Sequence, residues 1–224
     1  MTGFGNSLFV VGIDIGSEYS GYAYAFRDDI RHDPHLIRAH EWNESNRCSL
    51  KCPTTILINS NEEMVAFGFE AERMFSELLE NNKHHDYYYF KNFRNDLYQN
   101  EAGNEMITDV GGKPLKSLRV TSQTINYFRK HVINKILNIR SGYMDDRLVH
   151  FVLTLPAMWN EQGKQFMKKA AIMAGIKENR LDIVFEPDAA FLYALTSDRH
   201  DRGDSINGEN YMLINLAGMF HNTS

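Results

Sequence analysis

A short turn between two apolar segments carries the residue types that bind phosphate. The apolar run at residues 10–15 contains Asp14 and is followed by Gly16 and Ser17, and a second strand-like run begins at Ser20. Glycine tolerates a positive φ and lets a ligand approach the backbone, while successive amides in such a turn form an anion-binding concavity. An acid beside phosphates needs a cation such as Mg²⁺ between them. The pattern therefore indicates a phosphate and metal site, with an ordinary β-hairpin as the simpler alternative.

The elements that must position this turn alternate between strands and helices. Residues 8–15 and 20–26 predict two strands, and the apolar run 148–155 predicts a strand that is buried on both faces. Apolar residues at helical spacing predict helices over about 69–80, 121–140 and 160–174. A polar loop over 197–210 and a last strand over 211–215 complete the pattern. This order predicts an α/β domain with a mixed sheet.

The composition excludes some classes of partner. Hydrophobic residues make up 43% of the 224 residues and charged residues 24%, as is typical of a soluble globular protein. The net charge of −5 gives no argument for nucleic acid or an anionic membrane, and no apolar run reaches transmembrane length. Cys48 and Cys52 lack a second Cys/His pair at metal-binding spacing, so we expect reduced thiols in a cytoplasmic protein.

Four segments together resemble the actin and 70-kilodalton heat-shock protein (Hsp70) superfamily, most closely its divergent subfamily 12. They are residues 11–17 (VGIDIGS), 153–160 (LTLPAMWN), 165–176 (QFMKKAAIMAGI) and 185–190 (FEPDAA). The resemblance implies an α/β fold, namely a ribonuclease-H-like, actin-like ATPase lobe whose mixed sheet is flanked by helices. Residues 1–42 and 117–224 would form the core of this lobe, and residues 43–116 a small inserted α+β subdomain.

The resemblance also implies ATP and Mg²⁺ as cofactors and a role related to chaperones and the stress response. It assigns Asp14 and Glu186 to the metal, and Glu186 would hold either the water shell of the metal or the attacking water. The residues it assigns to the phosphates are Gly16, Ser17, Glu18, Tyr19 and Gly218, although a carboxylate at Glu18 would repel phosphate unless it turns away. Either Lys91 or Arg94 would stabilise the transferring phosphate, and the sequence leaves both open.

The C-terminal segment departs from the second phosphate motif of this family. Asn215 and Asn222 stand where acids are expected, and Met219 replaces a glycine. We also expect the family's second lobe to be missing, which would leave an apolar cleft face available to protein partners. We expect an ATP-binding lobe with weak or no hydrolysis, so that its status as an enzyme stays open. The alternatives are a non-catalytic regulatory or protein-interaction module, or a truncated product without activity.

Overall fold

A computed structural model describes residues 7–44, 47–97, 105–139 and 146–202. Its helices are α1 (Arg27–His32), α2 (Phe69–Glu80), α3 (Arg94–Leu97), α4 (Ser117–Ile139), α5 (Glu161–Met173) and α6 (Glu186–Arg202). Its strands are β1 (Phe9–Ile15), β2 (Tyr19–Phe26), β3 (Arg38–Ala39), β4 (Trp42–Glu44), β5 (Arg47–Ser49), β6 (Cys52–Pro53), β7 (Thr55–Asn59), β8 (Met64–Phe67), β9 (Tyr87–Lys91), β10 (Met106–Thr108), β11 (Pro114–Lys116), β12 (Val149–Leu155) and β13 (Leu181–Phe185).

The central sheet has the strand order β13-β12-β1-β2-β3, and β6 also pairs with β2. Strand β1 is parallel to β12 and antiparallel to β2, while β12 is parallel to β13. Read from β3, the order is β3-β2-β1-β12-β13. Numbered along the chain, these five strands have the order 3-2-1-4-5, and β2 is antiparallel to both of its neighbours on this path. This is the mixed, ribonuclease-H-like sheet that the sequence predicts.

One apolar face of the sheet forms the main core. Every second residue of β1 is buried, from Phe9 to Ile15, as the alternation of a strand requires. Helix α4 contributes residues at helical spacing to the same cluster, namely Ile125, Phe128, Val132 and Ile136, all without exposed surface. The burial fixes the register of β1, because a shift by one residue would turn its apolar side chains away from the core. The end of β1, where Asp14 lies, is therefore rigidly positioned.

A second, three-stranded sheet lies within the range predicted as an insertion. Its order is β8-β7-β9, and α2 packs on it through a small core formed by Leu57, Ala66, Ala71 and Tyr89. The rings of Phe75 and Tyr89 stack at a centroid distance of 3.8 Å. The limits of this insertion at residues 43 and 116 stay a prediction.

The C-terminal part differs from the sequence-based expectation. Helix α6 continues through Arg202, so the predicted polar loop is wrong for residues 197–202. This stretch is rich in Asp, Arg and His, and a helix of mostly polar residues has the same composition as a loop. The predicted strand at 211–215 and the predicted phosphate residue Gly218 lie outside the described residues.

Candidate nucleotide-phosphate site

The turn between β1 and β2 is tight enough to require glycine at its first position. A Cβ atom on Gly16 would lie 2.1 Å from the backbone oxygen of Tyr19. The sequence-based argument from positive φ does not apply, because Gly16 is not among the described residues with a positive φ. Close approach of two backbone segments, rather than an unusual dihedral angle, is the reason that only glycine fits here.

Buried Thr54 ties this turn to the segment that precedes β7. Its backbone N–H donates to the carbonyl of Glu18 at 2.8 Å, and its hydroxyl donates to the carbonyl of Gly16 at 2.9 Å. The hydroxyl also lies 2.7 Å from the Ser20 hydroxyl. The carbonyl oxygens of Gly16 and Glu18 are therefore bonded to buried Thr54. They do not face the solvent, where they would repel an anion.

The turn borders a cleft of about 280 Å³. The residues that line the cleft are Asp14, Gly16, Ser17, Glu18, Tyr19, Lys51, Arg94 and Glu186. All of them except Lys51 belong to the set assigned from the sequence. The cleft thus collects one glycine turn, three carboxylates and two cations from four segments of the chain.

Both carboxylate oxygens of Asp14 have partners within the protein. The Thr154 hydroxyl on β12 donates to Oδ1 at 3.0 Å, and the Lys51 ammonium lies 2.6 Å from Oδ2. The pairing of β1 with β12 brings Thr154 to this position. Asp14 is therefore held in one orientation by two donors, although a third of its side-chain surface is exposed.

Arg94 and Glu186 form the second ion pair of the cleft. A guanidinium nitrogen of Arg94 lies 2.7 Å from Oε1 of Glu186 and donates to the carbonyl of Ile15 at 2.9 Å. Glu186 is the first residue of α6, and Arg94 is the first residue of α3. Only 17% of the Arg94 side chain and 28% of the Glu186 side chain are exposed, so this pair is partly shielded from solvent.

The two cations that the sequence left as alternatives lie in different surroundings. Lys91 ends β9 and does not line the cleft, and its ammonium lies 3.3 Å from Oε1 of Glu72 on α2. Asn92 follows with φ of 53°, a left-handed conformation that turns the chain between Lys91 and Arg94. The cleft therefore contains Arg94 and not Lys91.

Three residues that shape the cleft are outside the set assigned from the sequence, namely Lys51, Thr54 and Thr154. Each reaches the turn through pairing between distant strands. No local motif marks Lys51, which is 37 residues from Asp14 in sequence. Only the pairing of β6 with β2 would have identified it.

The donor groups of the cleft suit phosphate better than a metal ion bound by the protein alone. The described part of the chain contains no group of three or more His, Cys, Asp or Glu residues able to hold a metal. Asp14 and Glu186 supply the oxygen atoms that Mg²⁺ prefers, but each is already bonded to a cation of the chain. The residues therefore do not fit a resident Mg²⁺ ion.

The ribonuclease-H-like sheet and the turn-bordered cleft at its strand ends define the chain as an actin-like ATPase lobe. The family model described as Hsp70 protein matches residues 76–206, more than half of the sequence. The chain belongs to the Hsp70 family.

Curated relatives show the same relationship over most of the chain. Human heat shock 70 kDa protein 12A is 29% identical over 192 residues, which is 83% of this chain and 28% of the relative. Human heat shock 70 kDa protein 12B is 30% identical over 190 residues, with coverages of 82% and 27%. The chain thus spans little more than a quarter of the length of these relatives.

A search of solved structures finds MreB5 of Spiroplasma citri bound to ADP. The match has a TM-score of 0.44 and 13% sequence identity, and it covers 84% of this chain and 41% of that one.

Among the helices in the described ranges, none is long and apolar enough to cross a membrane.

Proposed function

We propose that the chain binds the phosphates of ATP in this cleft, as part of the nucleotide-binding domain of an Hsp70-like protein. The observation that carries the proposal is the meeting of the Gly16 turn with Lys51 and Arg94 around one cleft. Membership of the Hsp70 family supports ATP as the ligand, because members of this family generally bind ATP with Mg²⁺. A chaperone-related role, a link to the stress response and a cytoplasmic location are proposed from family membership alone.

The residues of the cleft would bind phosphate through different chemical groups. Backbone amides at Gly16, Ser17 and Glu18 would donate to phosphate oxygens, as successive amides in a turn do. Arg94 would add charge-assisted hydrogen bonds to the same oxygens. The metal role that the resemblance gives to Asp14 and Glu186 would require both carboxylates to exchange their present cation partners.

We expect weak or no hydrolysis of ATP by this chain. Glu186 is the residue assigned to the attacking water, and its carboxylate is bonded to Arg94 at 2.7 Å. A carboxylate held by a guanidinium is not free to orient water. Binding and hydrolysis therefore have to be measured separately.

Isothermal titration with a non-hydrolysable ATP analogue in the presence of Mg²⁺ tests the proposal. The wild-type chain is expected to bind saturably, and Arg94→Met to bind about tenfold more weakly because a shielded cation is lost. Arg73→Met is the matched control, because Arg73 also lies 2.7 Å from a glutamate but outside the cleft. Equal binding by all three chains would contradict the assigned site. No saturable binding by the wild type would favour the alternative of a regulatory or protein-interaction module.

A further inference from the structure

Three residues lie in a row across β1, β2 and the position just before β6. Asp14 on β1 lies directly opposite Gly21 on β2. The next strand, β6, pairs with β2 through Ser20 opposite Cys52, which brings Lys51 alongside Gly21. The row is therefore Asp14, Gly21 and Lys51, with the glycine in the middle.

The glycine at the centre of this row lets the lysine reach the aspartate. A Cβ atom on Gly21 would lie 2.8 Å from the backbone oxygen of Leu50 and 3.3 Å from Cγ of Lys51. Any other residue would push the segment before β6 away from β2. Because position 21 has no side chain, the aliphatic stem of Lys51 packs over the β2 backbone. Its ammonium arrives 2.6 Å from Oδ2 of Asp14.

The Lys51 ammonium lies where it reduces the repulsion between Asp14 and a bound phosphate. The carboxylate of Asp14 lies beside the turn where phosphate is proposed to bind, and two like charges repel each other unless a cation lies between them. In this chain the cation at Asp14 is the Lys51 ammonium. Half of the Lys51 side chain is exposed and it lines the cleft, so the ammonium is available to Asp14 and to a ligand at the same time.

We propose that Lys51 is a phosphate-binding residue that neutralises Asp14 and so allows the cleft to bind nucleotide phosphates without a divalent cation. This inference rests on the proposed function. It explains why Asp14 and Glu186 do not form a metal site, because Asp14 is paired with a lysine of the chain. The test is therefore the dependence of binding on Mg²⁺, which a purely structural ion pair would not change.

The experiment compares the dissociation constant of a non-hydrolysable ATP analogue in EDTA with that in excess Mg²⁺, for each variant. The wild-type chain should bind in both conditions. Lys51→Met should raise the ratio of the dissociation constant in EDTA to that in Mg²⁺ about tenfold. The negative charge of Asp14 then has no neighbouring cation until Mg²⁺ replaces the lysine. Lys51→Arg keeps the charge and should restore the wild-type ratio.

Lys168→Met is the matched control, because Lys168 also lies 2.6 Å from a carboxylate, that of Glu178, outside the cleft. It should leave the ratio unchanged. The inference is overturned if Lys51→Met has the wild-type ratio, or if the wild type binds only with Mg²⁺. Absence of binding by the wild type in both conditions would overturn the proposed function, and this inference with it.

Discussion

Replacement of Arg94 by methionine should destabilise the protein far more than replacement of an exposed arginine with an equally short ion pair. The Arg94 guanidinium joins three segments, because it contacts Glu186 at the start of α6 and the carbonyl of Ile15 at the end of β1. Methionine retains much of the aliphatic stem and removes the charge and the donors. The substitution therefore isolates the polar contribution of Arg94 from its packing.

The magnitude follows from the two hydrogen bonds and from their burial. A hydrogen bond to a charged group contributes about 1.5–3 kcal/mol, and a buried partner left alone adds a desolvation penalty. Because Glu186 keeps 28% of its side-chain surface exposed, water recovers part of this loss. We therefore expect a net loss of about 2–3 kcal/mol of unfolding free energy. For a chain of this size, each kcal/mol lowers the melting temperature by about 2–4 °C.

Urea unfolding followed by circular dichroism measures this difference, with Arg73→Met as the control. The Arg73 and Glu77 side chains are 61% and 57% exposed, so their ion pair should contribute only about 0.3–0.5 kcal/mol. If both variants lose the same small amount, the Arg94 pair behaves as a surface ion pair, and the expectation that partial burial strengthens it is refuted. A change of slope in the unfolding curve would show that the comparison is no longer two-state.

Three further predictions concern the turn, α5 and the response to acid. Thr54→Val should cost about 1–2 kcal/mol of unfolding free energy and weaken nucleotide binding, because the carbonyl of Gly16 loses its buried donor. Differential scanning calorimetry checks the loss of stability, and isothermal titration calorimetry checks the loss of binding. Gly163→Ala should cost about 1–3 kcal/mol in urea unfolding, because its Cβ would lie 2.9 Å from the Trp159 ring. Burial lowers the pKa of His40 to about 4, so the unfolded chain binds a proton that the folded chain does not, and stability should fall as pH drops from 6.5 towards 4. His40→Phe should flatten that decline, and an unchanged pH profile would contradict the assignment.

The parts of the fold that the sequence predicts well are those in which local pattern and burial agree. The β1–β2 hairpin, α2 and α5 have apolar residues at the period of their own element, and the structure contains each within a few residues of the predicted limits. The sequence predicts a loop where α6 continues to Arg202, because the C-terminal part of this helix lacks an apolar stripe. The sequence of this part of α6 shows no helical periodicity of apolar residues.

The site was predictable only where a local motif marks its residues. Asp14 and the turn after it form a continuous motif, and they line the cleft together. The choice between Lys91 and Arg94 depends on a left-handed turn at Asn92, which sequence spacing does not reveal. Lys51 reaches Asp14 through strand pairing between β6 and β2, which no local pattern encodes.

Amide chemical shifts recorded during titration with an ATP analogue test the central claim most directly. The site proposed here predicts that the backbone amides of Gly16, Ser17 and Glu18 shift first and saturate together. A larger groove of about 450 Å³, lined in part by Glu62 and Arg119, provides the internal comparison. Saturable shifts at the turn, with the groove unaffected, are the expected result. Shifts confined to the groove, or no saturable shift at the turn, would contradict the account.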